Sequence, residues 1–263
     1  MIPRIWAIAL NTFREAVRIR VLYGILVLVA GANLMSLVVR ELAASTDEAR
    51  IARDLGLAGI SLFGSLTAIF LGVFLLYTEV ARRTVHAIVS KPIERWEFVV
   101  GKYLGMALLL SVLVGVFAAA MAGTLAWQGV PLTAEIAKAV ALAWVEVLVV
   151  AAIAIFFSSF STPFLSGIFS LGLWAIGRIT PDLERAAQAA SPAIRWTAKI
   201  AAYIVPDLHL FAVSGTTVDG AHVSVNADFV SWSYVGIATL HGLGWIAGLL
   251  ALAALLFHRR DFA

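Results

Sequence analysis

The sequence predicts an all-α membrane protein that crosses the bilayer several times, and three observations lead to this class. The 263 residues are 62% hydrophobic and only 13% charged, with a mean hydropathy of +0.96, whereas soluble domains are about 25% charged. Several apolar segments approach the roughly 20 residues that a helix needs to cross the hydrocarbon layer. The chain has no cysteine, which excludes disulfides, thiolate metal sites and thiol nucleophiles.

Six transmembrane helices are predicted, and they are called spans one to six in chain order. Their expected bounds are Val21–Val39, Leu55–Tyr77, Tyr103–Trp127, Ala137–Phe157, Phe160–Ile176 and Tyr234–Phe257. Spans four and five nearly join at the segment SSFSTP, where Pro163 and the Ser/Thr cluster favour a tight reversal. Span five gives the weakest signal, because it is short and contains Ser166 and Ser170.

The spans divide a single membrane domain into four parts. Residues 1–20 precede the first span, and residues 21–176 hold spans one to five with a charged loop at 78–102. Residues 177–233 form the longest segment outside the membrane, and residues 234–263 hold span six and a tail. Because the spans fill about half of the chain, we expect no second independent domain.

The distribution of basic residues predicts the orientation. The N-terminal segment, the loop 78–102 and the C-terminal tail together carry eleven Lys/Arg against five acidic residues. The segments at the opposite side carry eight Lys/Arg, counting Lys138 at the start of span four, against ten acidic residues. Since cytoplasmic loops of membrane proteins are enriched in Lys and Arg, both termini and the loop 78–102 are expected in the cytoplasm.

The N-terminal segment has the pattern of an amphipathic helix. Apolar residues recur every three or four positions, and polar residues such as Arg4 and Arg14 fall mostly on the other side. The apolar set is Ile2, Ile5, Trp6, Ala9, Phe13 and Val17. Such a helix lies in the membrane interface. A simple anchor for the topology explains the same pattern.

The outer segment at 177–233 carries its own structural pattern. A helix is expected from Asp182, with Thr180 or Pro181 near its start and Pro192 bending it. The later stretch VSGTTVDGAHVSVNADF has turn residues beside short alternating strands. A connection of this length is rarely passive, so the segment is expected to contact an outer partner or to cover a pathway.

Sequence motifs for catalysis are absent. No glycine-rich loop ends in GK[ST], so the chain is expected neither to bind ATP itself nor to be an enzyme. The five histidines, at 86, 209, 222, 241 and 258, lack the spacing of metal ligands. His209 and His222 could contribute to a copper or zinc site or could be solvent-exposed, and the spacing favours solvent exposure. We therefore expect no metal and no cofactor in this chain.

Glu146 is the one ionisable side chain that the predicted spans place deep in an apolar segment. An uncompensated charge there costs several kcal/mol, so such a residue suggests a function by default. The alternatives are a protonated carboxyl bonded between helices and a carboxyl that lines a watery pathway. The motifs GKYLG, at 101–105, and GWIAG, at 244–248, contain small residues that allow helices to approach closely.

The loop TEVARRTVHAIVSKPIERWEFVVGK, residues 78–102, is too long and too charged for a simple turn. A short helix is predicted from about Val80 to Val89, and Pro92 stops it. Its flanks lead into spans two and three. A soluble partner that contacts this helix would therefore transmit force into two spans at once. Ordinary positive-inside charge accounts for the arginines, but not for the helix, the proline or the length.

Four stretches of the sequence resemble the membrane subunit of type-2 ABC transporters, whose fold is called type V. They are NTFREAVRIRVLYG, GVFLLYTEVARRTVHAIVSKPIERWEFVVGKYLG, YIVPDLHLF and LLFHRRDF, in family order from residue 11 to 262. The resemblance implies an interfacial elbow helix at the N-terminus, six spans, a permease dimer and two ATPase subunits that bind ATP and Mg. It also implies a multi-pass protein of the bacterial cytoplasmic (inner) membrane.

The resemblance implies roles for two groups of residues. A coupling helix, from about Glu79 to Ser90, would sit in a cleft of the ATPase. The residues expected to couple to the ATPase are Glu79, Arg82, Arg83, Thr84, His86, Lys91 and Arg95. Pro206, Asp207 and Leu208 stand where the family has Pro-Asn-Leu, in the outer segment that would contact a partner or form a gate.

Three functions follow as hypotheses. The first is an ABC exporter permease, and its cargo class is left open among lipid, polysaccharide, drug, peptide and metal-related compounds. The second is a mechanical transmitter that passes force to a periplasmic protein through residues 177–233. It is suggested because the chain length and outer segment look similar to permeases of nitrous-oxide-reductase maturation. The third is an ATPase-independent channel or proton-coupled carrier with Glu146 as its working group.

Overall fold

The computed structural model describes most of the membrane domain. The described residues are 2–19, 48–81, 94–188, 205–213, 216–218, 221–223 and 231–258, with the single positions 23, 24, 27, 29, 31, 38 and 196. In this part of the chain the helices are α1 Ile2–Val17, α2 Glu48–Ala81, α3 Arg95–Trp127, α4 Ala134–Phe160, α5 Pro163–Gln188 and α6 Trp232–His258. A short 3-10 helix, Leu208–Phe211, and two strands, β1 Thr216–Val218 and β2 Ala221–Val223, lie between α5 and α6.

Five of these helices are long and apolar enough to cross a membrane. Their qualifying stretches are Arg53–Leu75, Arg95–Trp127, Ala134–Phe160, Pro163–Thr180 and Trp232–Leu256. They confirm the predicted helices of spans two, three, four, five and six. Most of predicted span one lies outside the described residues. The chain is therefore a multi-pass helical protein.

The helix α5 corrects the predicted end of span five. It continues without a break from Pro163 to Gln188, so the prediction of a separate helix beginning at Asp182 is wrong. Proline lacks the N–H that would bond to the carbonyl four residues earlier, here that of Gly177. The hydroxyl of Thr180 donates to the Gly177 carbonyl at 3.4 Å and to the Ile176 carbonyl at 3.1 Å. This side chain helps to satisfy the helix where Pro181 does not.

The reversal between α4 and α5 agrees with its sequence. The helix α4 ends at Phe160 and α5 begins at Pro163, two residues after the C-cap Ser161. Proline suits the first position of a helix, because the N–H that it lacks would have no partner there. The predicted tight turn is confirmed, and it makes α4 and α5 antiparallel neighbours.

The centre of the bundle is α4, which contacts α2, α3, α5 and α6. Its residues 149–154 are fully buried. Two glycines bring α2 close to it. A Cβ added to Gly64 would lie 2.6 Å from Val147 Cγ2, and one added to Gly72 would lie 2.5 Å from Ala154 Cβ. Small residues at such contacts allow backbones to approach, which drives helix association where the surroundings are apolar.

The N-terminal helix α1 packs along α3 through small residues. Ala9, Thr12 and Ala16 are fully buried, and a Cβ on Gly105 would lie 2.6 Å from Thr12 Cβ. The GKYLG motif therefore mediates a close approach, as predicted. Trp6 of the same helix is 51% exposed, whereas the smaller side chains occupy the contact with α3.

The GWIAG motif behaves differently. Within the described part of the chain, a Cβ added to Gly244 or Gly248 of α6 would have no atom within 4 Å. The motif therefore makes no close helix contact among the described residues. Between α5 and α6 the strands β1 and β2 pair antiparallel, with Thr216 opposite Val223 and Val218 opposite Ala221, which confirms the short strands predicted there.

The contact between α1 and α3 generates a prediction about stability. Gly105→Ala is expected to lower the free energy of unfolding by about 1–3 kcal/mol, because the new methyl group overlaps α1. Gly115→Ala is the matched control, since a Cβ at this position of α3 meets no atom within 4 Å. It should be neutral or mildly stabilising. Thermal unfolding in detergent measures both, and equal midpoints would contradict the described contact.

Candidate functional site

A cluster of polar side chains joins three helices inside the apolar bundle. Arg178 of α5 donates from Nη1 to Glu146 Oε1 of α4 at 2.9 Å and to Oε2 at 3.1 Å. Ser61 of α2 donates its hydroxyl to Glu146 Oε2 at 2.7 Å. Arg178 Nη1 also donates to Ser61 Oγ at 2.7 Å. The three residues, called the polar cluster below, therefore form a closed set of hydrogen bonds.

The burial of Glu146 explains why the cluster needs all three members. Its side chain is fully buried, whereas Arg178 keeps 29% of its side chain exposed. A buried carboxylate is costly unless it is paired and hydrogen-bonded. Here one guanidinium neutralises the charge, and the Ser61 hydroxyl adds a further donor. The buried charge is thus compensated across α2, α4 and α5.

Close helix contacts position each member of the cluster. Ser61 lies three residues before Gly64, whose contact with Val147 fixes α2 against α4. Arg178 follows Gly177 directly, and a Cβ on Gly177 would lie 2.6 Å from the Pro206 carbonyl oxygen. The polar side chains therefore meet where glycine allows the backbones to approach.

The segment 205–213, called the covering segment below, lies against the cluster, because Phe211, Ala212 and Val213 line a cavity together with its three residues. Asp207 caps the 3-10 helix by accepting a hydrogen bond from the backbone N–H of His209 at 3.1 Å. Leu208 is fully buried against Gly177. The Tyr234 hydroxyl of α6 donates to the Leu210 carbonyl at 2.7 Å. These contacts hold the predicted residues Pro206, Asp207 and Leu208 beside α5, and their role as a partner surface or gate stays a prediction.

Two cavities meet at the polar cluster. The inner cavity, about 20 Å³ in volume, lies beneath the covering segment and has room for a single water molecule. Its lining is Leu57, Ala58, Ser61, Ala139, Ala143, Glu146, Arg178, Phe211, Ala212 and Val213. The second, about 580 Å³, lies between α2 and α5 and is open to the outside. We call it the α2–α5 cavity. Ser61 and Arg178 line both of them.

The lining of the α2–α5 cavity is mostly apolar. It consists of Leu55, Ala58, Gly59, Ser61, Leu62, Phe63, Trp174, Ala175, Arg178 and Ile179. Its polar residues are Ser61 and Arg178, and the indole nitrogen of the lining residue Trp174 is itself buried. A binding cavity typically has this character, with large apolar walls and a few convergent polar groups.

Polar side chains recur every four residues along the buried face of α5. Ser166 and Ser170 are fully buried, and Trp174 and Arg178 follow at the same interval. Among the described residues, no partner bonds to the hydroxyls of Ser166 and Ser170 or to Trp174 Nε1. The polar side of α5 thus faces its neighbouring helices, while its apolar side is exposed.

A model of the family described as ABC-2 family transporter protein matches residues 6–262. The chain belongs to the ABC-2 transporter family. A search among curated proteins gave no match. Membership supports the permease component of an ABC transporter and implies an ABC ATPase as its partner. The finer resemblance to nitrous-oxide-reductase maturation permeases remains a hypothesis.

The predicted ATPase-coupling residues of this ABC-2 chain lie in or beside the loop between α2 and α3. Arg82, Arg83, Thr84, His86 and Lys91 lie outside the described residues. Glu79 belongs to the last turns of α2, and Arg95 is the exposed first residue of α3. Their coupling role stays a prediction, but the two helices that flank the loop are placed.

The start of α3 is stabilised by a capping box and by a contact with α1. The backbone N–H of Glu94 donates to Glu97 Oε2 at 3.2 Å in a capping box, an arrangement that satisfies backbone groups at a helix start. Lys102, only 4% exposed, lies 3.5 Å from Glu15 of α1. The loop therefore leads into a helix that is fixed to α1.

The histidines and the polar cluster show what sequence reasoning missed. The sequence predicts a solvent-exposed His209, but this residue of the covering segment is buried, with 8% of its surface exposed. Glu146 was identified, whereas its partners Arg178 and Ser61 were not. The signal for Arg178 was its position at the four-residue interval of Ser166, Ser170 and Trp174. It was assigned to the outer segment because Pro181 suggested a helix boundary.

The polar cluster predicts a charge-dependent pattern of stabilities. Arg178→Gln is expected to lower the free energy of unfolding by about 3 kcal/mol, because it leaves Glu146 buried without a counter-charge. Ser61→Ala should cost about 1 kcal/mol, since it removes hydrogen bonds but no charge. The double variant with Glu146→Gln and Arg178→Gln should recover more than half of the loss.

Thermal unfolding of the purified variants in one detergent measures this pattern. The double variant is the internal control, because it keeps the Arg178→Gln change and removes only the Glu146 charge that this change leaves unpaired. If the double variant were as unstable as the sum of the two single variants, Glu146 and Arg178 would not be coupled, and the described ion pair would be wrong.

Proposed function

We propose that this chain is the permease subunit of an ABC exporter, in which a separate ATPase drives the movement of an amphipathic cargo across the membrane. The observation that carries the proposal is the α2–α5 cavity, which ends at a buried ion pair inside a bundle of the ABC-2 family. The cavity has room for a small organic group. In this proposal both termini face the cytoplasm.

The ends of α2 and α3 support coupling through the loop between them. The helix α2 is continuous from Glu48 to Ala81 and packs on α4, and α3 packs on α1. A partner that moves the loop therefore moves two packed helices. Because α2 carries Ser61, its displacement changes the geometry of the polar cluster. ATP-driven closure of the ATPase would in this way shift the bundle between two arrangements.

The exposed side of α5 supports a permease dimer. Large apolar residues form a continuous exposed strip on this helix: Phe164, Leu165, Ile168, Phe169, Leu171, Ile176 and Ile179. We infer that a second permease, identical or paralogous, packs on or near this strip. A twofold arrangement would place two α2–α5 cavities opposite each other and would enclose a pathway that one chain leaves open.

A second candidate function has one specific observation in its favour. The covering segment is wedged between α4, α5 and α6 beside the polar cluster, so movement in the bundle would reach the outer segment mechanically. The transmitter hypothesis uses this contact. We favour export, because it gives the α2–α5 cavity and the polar groups at its end a use. A mechanical transmitter needs no such cavity.

The pairing of Glu146 bears on the carrier hypothesis. A proton-coupled carrier would use Glu146 as a group that gains and loses a proton during transport. Instead, both carboxylate oxygens are occupied by Arg178 and Ser61. This arrangement favours a structural and pathway-lining role for Glu146, with the energy supplied by the ATPase.

The coupling loop is tested by affinity purification in mild detergent followed by mass spectrometry. An ABC ATPase is expected to co-purify with the intact chain. A variant with Arg82, Arg83 and His86 changed to Ala should co-purify with at least tenfold less ATPase than the intact chain, because the proposed contact surface is removed. Equal recovery from this variant would contradict a coupling role for the loop.

The tail provides a matched control for this experiment. Changing His258, Arg259 and Arg260 to Ala removes the same residue types and the same charge from a segment expected on the same side of the membrane. ATPase recovery should stay near that of the intact chain. If both variants lost the ATPase equally, the effect would reflect general charge instead of a specific surface, and absence of any ATPase from the intact chain would overturn the proposed function.

A further inference from the structure

The polar end of the α2–α5 cavity contains donors that the polar cluster does not use. All the hydrogen bonds that the structure gives to Arg178 leave from Nη1. Its Nη2 and Nε therefore have no hydrogen-bond partner among the described residues, and the side chain stays 29% exposed. A guanidinium offers five N–H donors in a planar fork, so several remain for a second acceptor.

Trp174 adds another donor one helical turn away. Its Nε1 is buried and has no hydrogen-bond partner in the described part of the chain, although the side chain lines the same cavity as Arg178. A buried N–H without an acceptor is unfavourable, and native structures usually satisfy such groups. The indole and the guanidinium together form a site rich in donors.

The rest of the cavity has the opposite character. Leu55, Leu62 and Ile179 line it and are 37%, 41% and 46% exposed. Phe63 and Ala175 complete the apolar walls. Among the described residues, no carboxylate lines the α2–α5 cavity, and Glu146 lines the inner cavity instead. The cavity therefore matches a molecule with an apolar body and an acceptor group at one end.

We propose that the α2–α5 cavity binds an amphiphile with an anionic head, either a carboxylate or a phosphate monoester. The head accepts hydrogen bonds from Arg178 Nη2 and Nε and from Trp174 Nε1, and the chain lies against the apolar walls. This inference rests on the proposed export function and names its cargo class. Arginine suits such heads, because its fork bonds two oxygens of a carboxylate or phosphate at once.

Glu146 restrains this binding. It already neutralises Arg178, so an incoming anion at Nη2 and Nε meets a site without net charge and is repelled by the Glu146 carboxylate on Nη1. Removing the carboxylate charge should strengthen anion binding, whereas removing the guanidinium should abolish the preference for anions. The two halves of one ion pair are thus expected to change binding in opposite directions, which a purely structural pair would not do.

The experiment uses the purified full chain in nanodiscs of phosphatidylcholine, without the ATPase. The probe is dodecyl phosphate with a photoactivatable diazirine in its chain, and the matched probe is the corresponding dodecanol. Labelled peptides are located by mass spectrometry, and unlabelled dodecyl phosphate competes for the site. We expect saturable labelling of residues 55–63 and 174–179, at least about tenfold stronger for the phosphate than for the alcohol.

Four variants distinguish specific recognition from partition into lipid. Glu146→Gln should increase phosphate labelling several-fold, and the double variant with Arg178→Gln should remove the preference for phosphate. Trp174→Phe should weaken labelling about threefold to tenfold, because it deletes only the indole N–H and keeps an aromatic ring. Trp127→Phe is the control, since Trp127 is 87% exposed at the end of α3, and it should leave labelling unchanged.

Each outcome decides for or against the inference. Equal labelling by phosphate and alcohol, or a decrease with Glu146→Gln, would overturn it. If labelling of the cavity disappeared on formation of a chemically cross-linked permease dimer, a second copy would be the occupant and the inference would be wrong. If the intact chain showed no preference for the phosphate probe but still recovered the ATPase, only this inference would be overturned. The proposed function is tested separately by co-purification.

Discussion

The ion pair between Glu146 and Arg178 is the constraint on which the arrangement of this bundle depends. A fully buried carboxylate in an apolar helix requires a counter-charge and further donors nearby. Both are supplied, by Arg178 and by Ser61 from two other helices. Moving α4 or α5 would therefore expose or strand a charge, whereas moving α2 would remove a hydrogen-bond donor from Glu146. The covering segment and the two cavities are arranged around this fixed point.

Glycine determines where such a pair can form. Lipid chains are as apolar as the side chains of the helices, so burial gives little preference for one helix pairing over another. Close packing decides instead, and it occurs where Gly64 and Gly72 of α2 contact α4 and where Gly177 of α5 contacts the covering segment. The polar cluster lies between these contacts. Packing by small residues and pairing of charge thus specify the same arrangement.

Much of the fold follows from the sequence because apolar length is a strong signal. The helices α3, α4 and α6 contain the predicted spans, and the reversal at Pro163 was visible in the residues themselves. Pairings across the bundle were not visible, because nothing local to Ser61 indicates that it faces Glu146, 85 positions away. The same applies to the cavity, whose lining comes from α2 and α5.

Arg178 illustrates a second kind of failure. The residues around Pro181 are typical of a helix boundary, since proline removes a backbone donor. In the structure the Thr180 hydroxyl bonds to the Gly177 carbonyl, and α5 continues. Pro181 is therefore accommodated within α5 and does not mark a helix boundary. The arginine assigned to the outer segment belongs instead to the polar cluster.

The continuity of α2 connects the two ends of the proposed mechanism. Ser61 lies about 30 Å along this helix from its end at Ala81, where the proposed coupling loop begins. A packed helix transmits a tilt over this distance as a single body. Such a tilt would draw Ser61 away from Glu146 and loosen the hold on Arg178. An anionic head that binds Arg178 through Nη2 and Nε leaves Nη1 with Glu146, so both the carboxylate and the guanidinium stay paired. A bare charge in the membrane is thereby avoided while Ser61 moves.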